Sequence, residues 1–153
     1  MKVGEIMTHG VRTCTPESSL EDAALIMWDG DCGAVPVIDH EGRPVGVITD
    51  RDIAMGSALQ HKSLSDIRVS DVINGRPAHL CHVDDDIKNA LKTMWGQKVR
   101  RLPVVGMDGR VLGILSIDDV ITHAERGSRG QTVPDLSFDD AMNTLKAVAR
   151  YHL

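Results

Sequence analysis

The chain repeats itself. Shifted by 67 positions without a gap, one stretch falls on a later one: Ile6 on Ile73, Cys14 on Cys81, Ala23 on Ala90, Met27-Trp28 on Met94-Trp95. The match continues with Pro36-Val37 on Pro103-Val104, Gly42-Arg43 on Gly109-Arg110, Gly46 on Gly113 and Asp52 on Asp119. Leu20/Ile87, Val47/Ile114, Ile48/Leu115 and Thr49/Ser116 are conservative pairs. Two copies, spanning roughly 3–54 and 70–121, restrict the chain to folds that use one supersecondary unit twice. A single unit of about 50 residues buries too little surface to be stable alone. The copies are therefore expected to pack face to face into one pseudo-symmetric body, with Leu59 to Arg68 as the bridge.

Each copy reads as strand, helix, strand, strand, helix, which sets the fold class as α/β. Val11 to Thr13 is the expected first strand. Ser18, with Glu21 three residues on, offers a capping box for a helix whose apolar spacing is Leu20, Ala23, Ala24, Met27 and Trp28. In the second copy Asp85 is the expected cap, followed by Ile87, Ala90, Leu91, Met94 and Trp95. Ala34–Ile38 and Pro44–Thr49 form a hairpin around Asp39-His40-Glu41-Gly42, and Leu102–Val105 and Val111–Ser116 form its counterpart around Met107-Asp108-Gly109. A second helix starts near Thr49 and near Ser116. Gly127-Ser128-Arg129-Gly130 reads as a linker. A terminal helix follows, capped by Ser137, with Phe138, Ala141, Met142, Leu145, Val148 and Ala149 on one stripe.

Composition narrows the function. The net charge is −5, which argues against general binding to nucleic acid or a membrane surface, since both rest on excess Lys and Arg. The aromatics are Trp28, Trp95, Phe138 and Tyr151, too few for a base-stacking platform. No apolar run approaches the roughly 20 residues of a membrane span. The start, Met1-Lys2-Val3-Gly4-Glu5, lacks the apolar stretch of a signal peptide, and Cys14, Cys32 and Cys81 do not pair off within one chain. The expected compartment is the cytoplasm. The partner classes left open are a small molecule and a protein.

In each copy a helical start (Val3-Gly4-Glu5-Ile6-Met7-Thr8; Val69-Ser70-Asp71-Val72-Ile73) precedes an apolar-Pro-Val-apolar strand (Val35-Pro36-Val37-Ile38; Leu102-Pro103-Val104-Val105). Then comes Gly-apolar-apolar-Thr/Ser-x-x-Asp (Gly46-Val47-Ile48-Thr49-Asp50-Arg51-Asp52; Gly113-Ile114-Leu115-Ser116-Ile117-Asp118-Asp119). On these motifs the chain, over about residues 1–125, resembles a tandem pair of CBS (cystathionine-β-synthase) domains, a Bateman module, of the stand-alone bacterial type. The resemblance implies two β-α-β-β-α repeats packed through their sheets, at 1–60 and 61–126, with 127–153 as linker and C-terminal amphipathic helix. It further implies clefts between the repeats that bind an adenosine-containing ligand (AMP, ADP, ATP or S-adenosylmethionine), a regulatory rather than enzymatic role, a homodimer, and a protein effector. It requires no cofactor; the adenine nucleotide is a regulatory ligand.

The Thr/Ser-x-x-Asp spacing has a physical rationale. Thr49 ends a strand and Asp52 lies in the first helical turn, so a hydroxyl, free backbone N–H groups and a carboxylate converge. The carboxylate, acceptor-only with two oxygens, suits the two hydroxyls of a ribose. Ser116 and Asp119 repeat the arrangement. The plainer reading is a capping box, and both roles are compatible. Phosphate candidates are Arg51, Arg100 and Arg101, whose planar forks match phosphate; solvated surface charge is the plain reading for Arg100 and Arg101. In the first copy the Arg100 and Arg101 positions are Gly33 and Ala34, so the two sites are expected to differ. Adenine-pocket candidates are Thr13, Thr15, Ala34, Pro36, Leu80, His82 and Pro103.

Three other features have bland alternatives. His79-Leu80-Cys81-His82 suggests a metal, but on a strand His82 faces away from the other two, and Cys14 and Cys81 are equivalent strand positions suited to burial. Asp84-Asp85-Asp86 caps a helix. Trp28 and Trp95 hold the same repeat position at the edge of an apolar stripe, which fits intrachain packing or a homodimer contact at both. The alternatives to the ligand sensor are a ligand-free dimerisation scaffold that docks a partner and, more remotely, a metal or thiol redox sensor.

Overall fold

Each repeat converts a Thr or Ser at a strand end into a helix start, and the fold is organised around those turns. A computed structural model describes residues 1–130 and 132–149. Tyr151 and the end of the expected terminal segment, 150–153, lie outside the described residues. In chain order the elements are β1 (Thr8–His9), α1 (Leu20–Gly30), β2 (Ala34–Ile38), β3 (Pro44–Thr49), α2 (Asp50–Gln60), α3 (Val69–Ile73), β4 (Cys81–His82), α4 (Ile87–Gln97), β5 (Arg101–Val105), β6 (Val111–Ser116), α5 (Ile117–His123) and α6 (Phe138–Ala149). A 3-10 turn precedes β1 at Val3–Glu5. The chain is mixed α/β.

The elements form two compact units, and these cross the repeat boundaries. One comprises residues 10–78 and 108–111; the other comprises 1–9 and 79–107 with the described residues from 112 onward. The segment before each repeat thus folds with the other repeat. Repeat spacing alone does not reveal this, because the linking segments look alike in both copies.

In the unit of residues 10–78, β2 and β3 pair antiparallel from Ala34 opposite Thr49 to Ile38 opposite Pro44, with an irregularity between Val37 and Ile38. Gly42 closes the hairpin at φ +81°, the left-handed region that other residues enter only at a cost. Leu20, Ala23 and Met27 of α1 bury against Val35, Val37, Ile48 and Ile53. Ile67, Val69 and Ile73 complete this core. The expected strand at Val11 to Thr13 does not form. What forms is a single bridge between Cys14 and Val37, in which Cys14 donates to the Pro36 carbonyl and accepts from Ile38.

In the other unit the sheet order is β1-β6-β5-β4. β1 lies antiparallel to β6, with Thr8 opposite Ile114, and β4 lies parallel to β5, with Cys81 opposite Val104. β5 begins at Arg101, one residue before the expected start. Ile87, Ala90, Leu91 and Met94 of α4 share a core with Leu102, Val104, Leu115 and Val120.

Two helix caps shift by one residue from expectation. Ser19, not Ser18, caps α1 in a box with Asp22, because Ser18 instead closes a turn on Thr15. Asp86, not Asp85, caps α4, because Asp85 accepts from the His82 backbone. The stripe on α6 also differs. Ser137 caps it as expected, in a box with Asp140, but the buried residues are Ala141, Thr144 and Val148. Phe138 and Met142 are half-exposed. The buried seam therefore runs through a threonine that hydropathy counts as polar.

Candidate functional site

Strand β3 ends at Thr49, which is extended and caps α2. Its hydroxyl accepts from the Asp52 backbone at 3.2 Å, and its own N–H donates to Asp52 Oδ2 at 2.9 Å. The capping box expected as the plain reading is therefore present. It also fixes the carboxylate beside the strand end. Asp52 Oδ1 is turned to Arg76, whose Nη2 donates to it at 2.8 Å. The Asp52 side chain is 12% exposed and that of Arg76 49%. Burial pushes the Asp52 carboxyl up, yet the hydrogen bonds from Arg76 and Thr49 together outweigh it and hold it below the usual carboxylate range.

Ser116 repeats the arrangement at the end of β6. Its N–H donates to Asp119 Oδ2 at 2.8 Å, its hydroxyl donates to the same oxygen at 3.0 Å, and the Asp119 N–H approaches that hydroxyl at 3.2 Å. Here Asp119 Oδ1 accepts from the Thr8 hydroxyl at 3.2 Å. One carboxylate is thus held by a cation and its repeat equivalent by a neutral hydroxyl. Both holders come from the segment that precedes a repeat.

The strand starts lie beside these turns. Ala34 is directly opposite Thr49, and the Gly33 carbonyl accepts the Asp50 N–H at 3.0 Å. Equivalently, the Arg100 carbonyl accepts the Ile117 N–H at 2.9 Å, which puts Arg100 and Arg101 next to Ser116. Arg100 is exposed and Arg101 half-buried. Arg51 is exposed in the first turn of α2. The Arg76 and Thr8 contacts were missed in the sequence. The signal available was the repeat itself: Arg76 and His9 are equivalent positions, and Thr8 precedes His9.

The adenine-pocket candidates divide between the units. Thr13 and Thr15 flank the buried Cys14 along β2, where Pro36 is buried and its carbonyl is taken by the Cys14 N–H. Leu80 and His82 flank the buried Cys81 along β5, where Pro103 is buried. His82 is exposed and Leu80 half-buried. Burial pushes the Cys14 thiol up to about 11 and the Cys81 thiol up to about 12, with Asp22 and Asp85 adding to it respectively. Among the described residues no group of three or more His, Cys, Asp or Glu side chains comes together as a metal site. No described helix is long and apolar enough to cross a membrane.

The tryptophans part company. The Trp95 indole N–H donates to Thr144 Oγ1 at 2.6 Å, so α6 takes it up within the chain, whereas Trp28 is 81% exposed. The expectation of both at a homodimer contact therefore fails for Trp95, which already has an intrachain partner.

Comparison with known proteins sets this geometry in context. The CBS domain family model matches residues 3–57 and 69–126. An uncharacterized protein of Methanopyrus kandleri is 27% identical over 121 residues, 79% of this chain and 61% of its own length. A homoserine O-acetyltransferase of Methanohalobium evestigatum is 28% identical over 118 residues, 77% of this chain but 23% of its own length. This chain therefore spans less than two thirds of either. The uncharacterized protein YlbB of Bacillus subtilis matches more fully, 28% identical over 91% of this chain and 93% of its own. Among solved structures, Hypoxic Response Protein I with two coordinated zinc ions superposes with a TM-score of 0.73 at 26% identity, covering 82% of this chain and 100% of that one. The CBS domain pair of protein MJ0100, in complex with 5-methylthioadenosine and S-adenosyl-L-methionine, gives 0.67 at 26% identity over 80% and 94%. CBSX2 in complex with AMP gives 0.63 at 26% identity over 79% and 93%.

Proposed function

The chain belongs to the CBS domain family, with both repeats matched in tandem, and from that premise we propose that it is a regulatory module whose Thr/Ser-x-x-Asp turns hold the ribose of an adenosine-containing ligand. The observation that carries this is the pair of part-buried carboxylates, Asp52 and Asp119, each fixed at a strand-to-helix turn by a hydroxyl residue and backbone N–H groups. A carboxylate oriented before binding loses little entropy on accepting ribose hydroxyls. Two similar structures, MJ0100 and CBSX2, are complexes with adenosine compounds, which supports the same ligand class.

The two turns act differently. Beside Ser116 and Asp119, Arg100 and Arg101 meet the phosphate. Beside Thr49 and Asp52, a ribose takes Oδ1 only when Arg76 lets go, and the released guanidinium, with Arg51, becomes the phosphate partner. Binding at Asp52 thus carries a local rearrangement, and a ligand shifts a conformational equilibrium only through such differential contacts. The regulated target is a protein effector that senses the rearranged state.

Calorimetry against AMP, ADP, ATP, S-adenosylmethionine and NAD tests this. At least one compound binds the native chain, and Asp52→Asn or Asp119→Asn weakens it tenfold or more while thermal unfolding shows the variants folded. Absence of binding across the panel, together with retention of a protein partner, would replace the sensor with a ligand-free scaffold.

A further inference from the structure

Helix α6 lies outside both matched repeats and carries two apolar faces, of which the fold uses one. The inner face packs on α4 and α5. Ala141, Thr144 and Val148 are buried there, fastened by the Trp95–Thr144 hydrogen bond and the Lys88–Asp140 ion pair. At the helical period, Phe138, Met142, Leu145 and Ala149 stand on the next stripe. Phe138 is 49% exposed and Met142 50%, Ala149 is exposed and Leu145 half-buried. On the neighbouring α5, Ile121 is exposed as well. The Arg126 guanidinium lies over the Phe138 ring, 5.7 Å from its centroid, and still leaves that residue half open.

Charge selects the occupant of this outer stripe. Asp139 and Lys146 are two helical turns apart, so they share the flank beside Phe138 and Met142. Both are exposed, and neither is in an ion pair among the described residues. The flank thus carries a carboxylate near the helix start and an ammonium near its end. When the stripe meets an antiparallel copy of itself, the same flank of both helices comes together. Asp139 of each copy then faces Lys146 of the other, with Met142 near the two-fold axis. A parallel copy makes neither pair. Self-complementarity of this kind is what a two-fold interface requires, and charged flanks set partner and direction in helix pairs.

We propose that the outer stripe of α6 is a docking surface for a second copy of this chain, the two α6 helices packing antiparallel through Phe138, Met142, Leu145 and Ala149. Apolar burial holds the pair, and the two Asp139–Lys146 contacts set its direction. The contact is small beside the roughly 1,200–2,000 Å² of a standard interface, so it is weak by itself and is best read by chemical trapping. It uses none of the residues of the Thr/Ser-x-x-Asp turns and stands whether or not those turns hold a ligand.

The test uses the full chain with Cys32→Ser, which leaves only the buried Cys14 and Cys81 thiols. In that background Met142→Cys puts one reactive thiol at the centre of the stripe, and His40→Cys, in the exposed turn between β2 and β3, is the control. A short bis-maleimide links Met142→Cys chains into covalent dimers about fivefold or more faster than the control. Adding Lys146→Asp, which sets carboxylate against carboxylate, slows that linking by about fivefold or more. An equimolar mixture of the Lys146→Asp chain with an Asp139→Lys chain restores it. Thermal unfolding confirms that these variants of exposed positions remain folded. Linking no faster than at His40→Cys overturns the proposal. Linking that ignores the charge changes overturns it too, and leaves the stripe to a partner other than a second copy.

Discussion

Arg76 donates to Asp52 Oδ1 at 2.8 Å, while the Thr49 N–H holds the other oxygen of the same carboxylate at 2.9 Å. A residue 24 positions away in sequence thus completes a turn that looks local. At the equivalent carboxylate, Asp119, the place of the guanidinium is taken by the Thr8 hydroxyl.

Arg76→Gln removes the cation. The Asp52 carboxyl lies below its ordinary value in the folded chain, so its pairing contributes stability above the unfolded carboxylate range, and that contribution is lost as pH falls through the lower folded value. Because Arg76 is half exposed, the loss at neutral pH is about 0.5–1 kcal/mol. Urea unfolding at neutral pH and again well below the carboxylate range tests this: the gap between native and variant closes in acid. If the proposed reading holds, in which Arg76 competes with ribose and serves phosphate, the same variant binds adenosine more tightly and ATP less tightly.

Thr144→Val leaves the part-buried Trp95 indole N–H without its acceptor. An orphaned buried donor costs about 1–3 kcal/mol. Thr144 is fully buried, and its hydroxyl also donates to the Asp140 carbonyl at 2.7 Å. Chemical unfolding shows the loss, and Thr144→Ser restores most of it. A variant as stable as the native chain would mean that α6 does not need this bond to dock.

Gly113 and Gly46 are repeat equivalents with different tolerance. A Cβ on Gly113 meets the Thr8 carbonyl oxygen at 2.2 Å, which only a backbone shift relieves, because β1 lies against β6 there. A Cβ on Gly46 meets the tip of Ile73 at 3.2 Å, and that side chain yields. Gly113→Ala therefore costs about 3 kcal/mol and Gly46→Ala less than about 1 kcal/mol, both read from thermal or urea unfolding.

Thiol labelling separates the cysteines. Cys14 and Cys81 are buried with thiols pushed up to about 11 and about 12, and Cys32 is exposed. Because the thiolate is the reactive form, an aromatic disulfide reagent at mildly alkaline pH titrates one equivalent in the folded chain and three after denaturation. Rapid reaction of a second thiol in the folded state would contradict the burial of Cys14 or Cys81.

The repeat period, the hairpins, the helix starts at Thr49 and Ser116 and the Thr/Ser-x-x-Asp turns were legible in the sequence. These features depend on residues close together in the chain, where turn chemistry, side-chain period and capping act directly. The caps at Ser19 and Asp86 shifted by a residue because several adjacent Ser and Asp side chains compete to cap, and the turn before the helix claims one of them. The bridge at Cys14 replaced a strand because that segment finds a partner only on β2.

By itself the sequence determined the repeated α/β unit and the family. It also determined that each copy ends a strand on a hydroxyl residue with a carboxylate three positions on. Tertiary structure alone decided that Arg76 meets Asp52 and Thr8 meets Asp119, that Trp95 is covered while Trp28 stays open, and that a threonine lies in the buried seam of α6. The physical reason is the same in each case. The 67-residue period makes the copies equivalent in local preference, but burial and hydrogen-bond partners are set by which distant segment folds back, and only the second copy is followed by α6 in this chain.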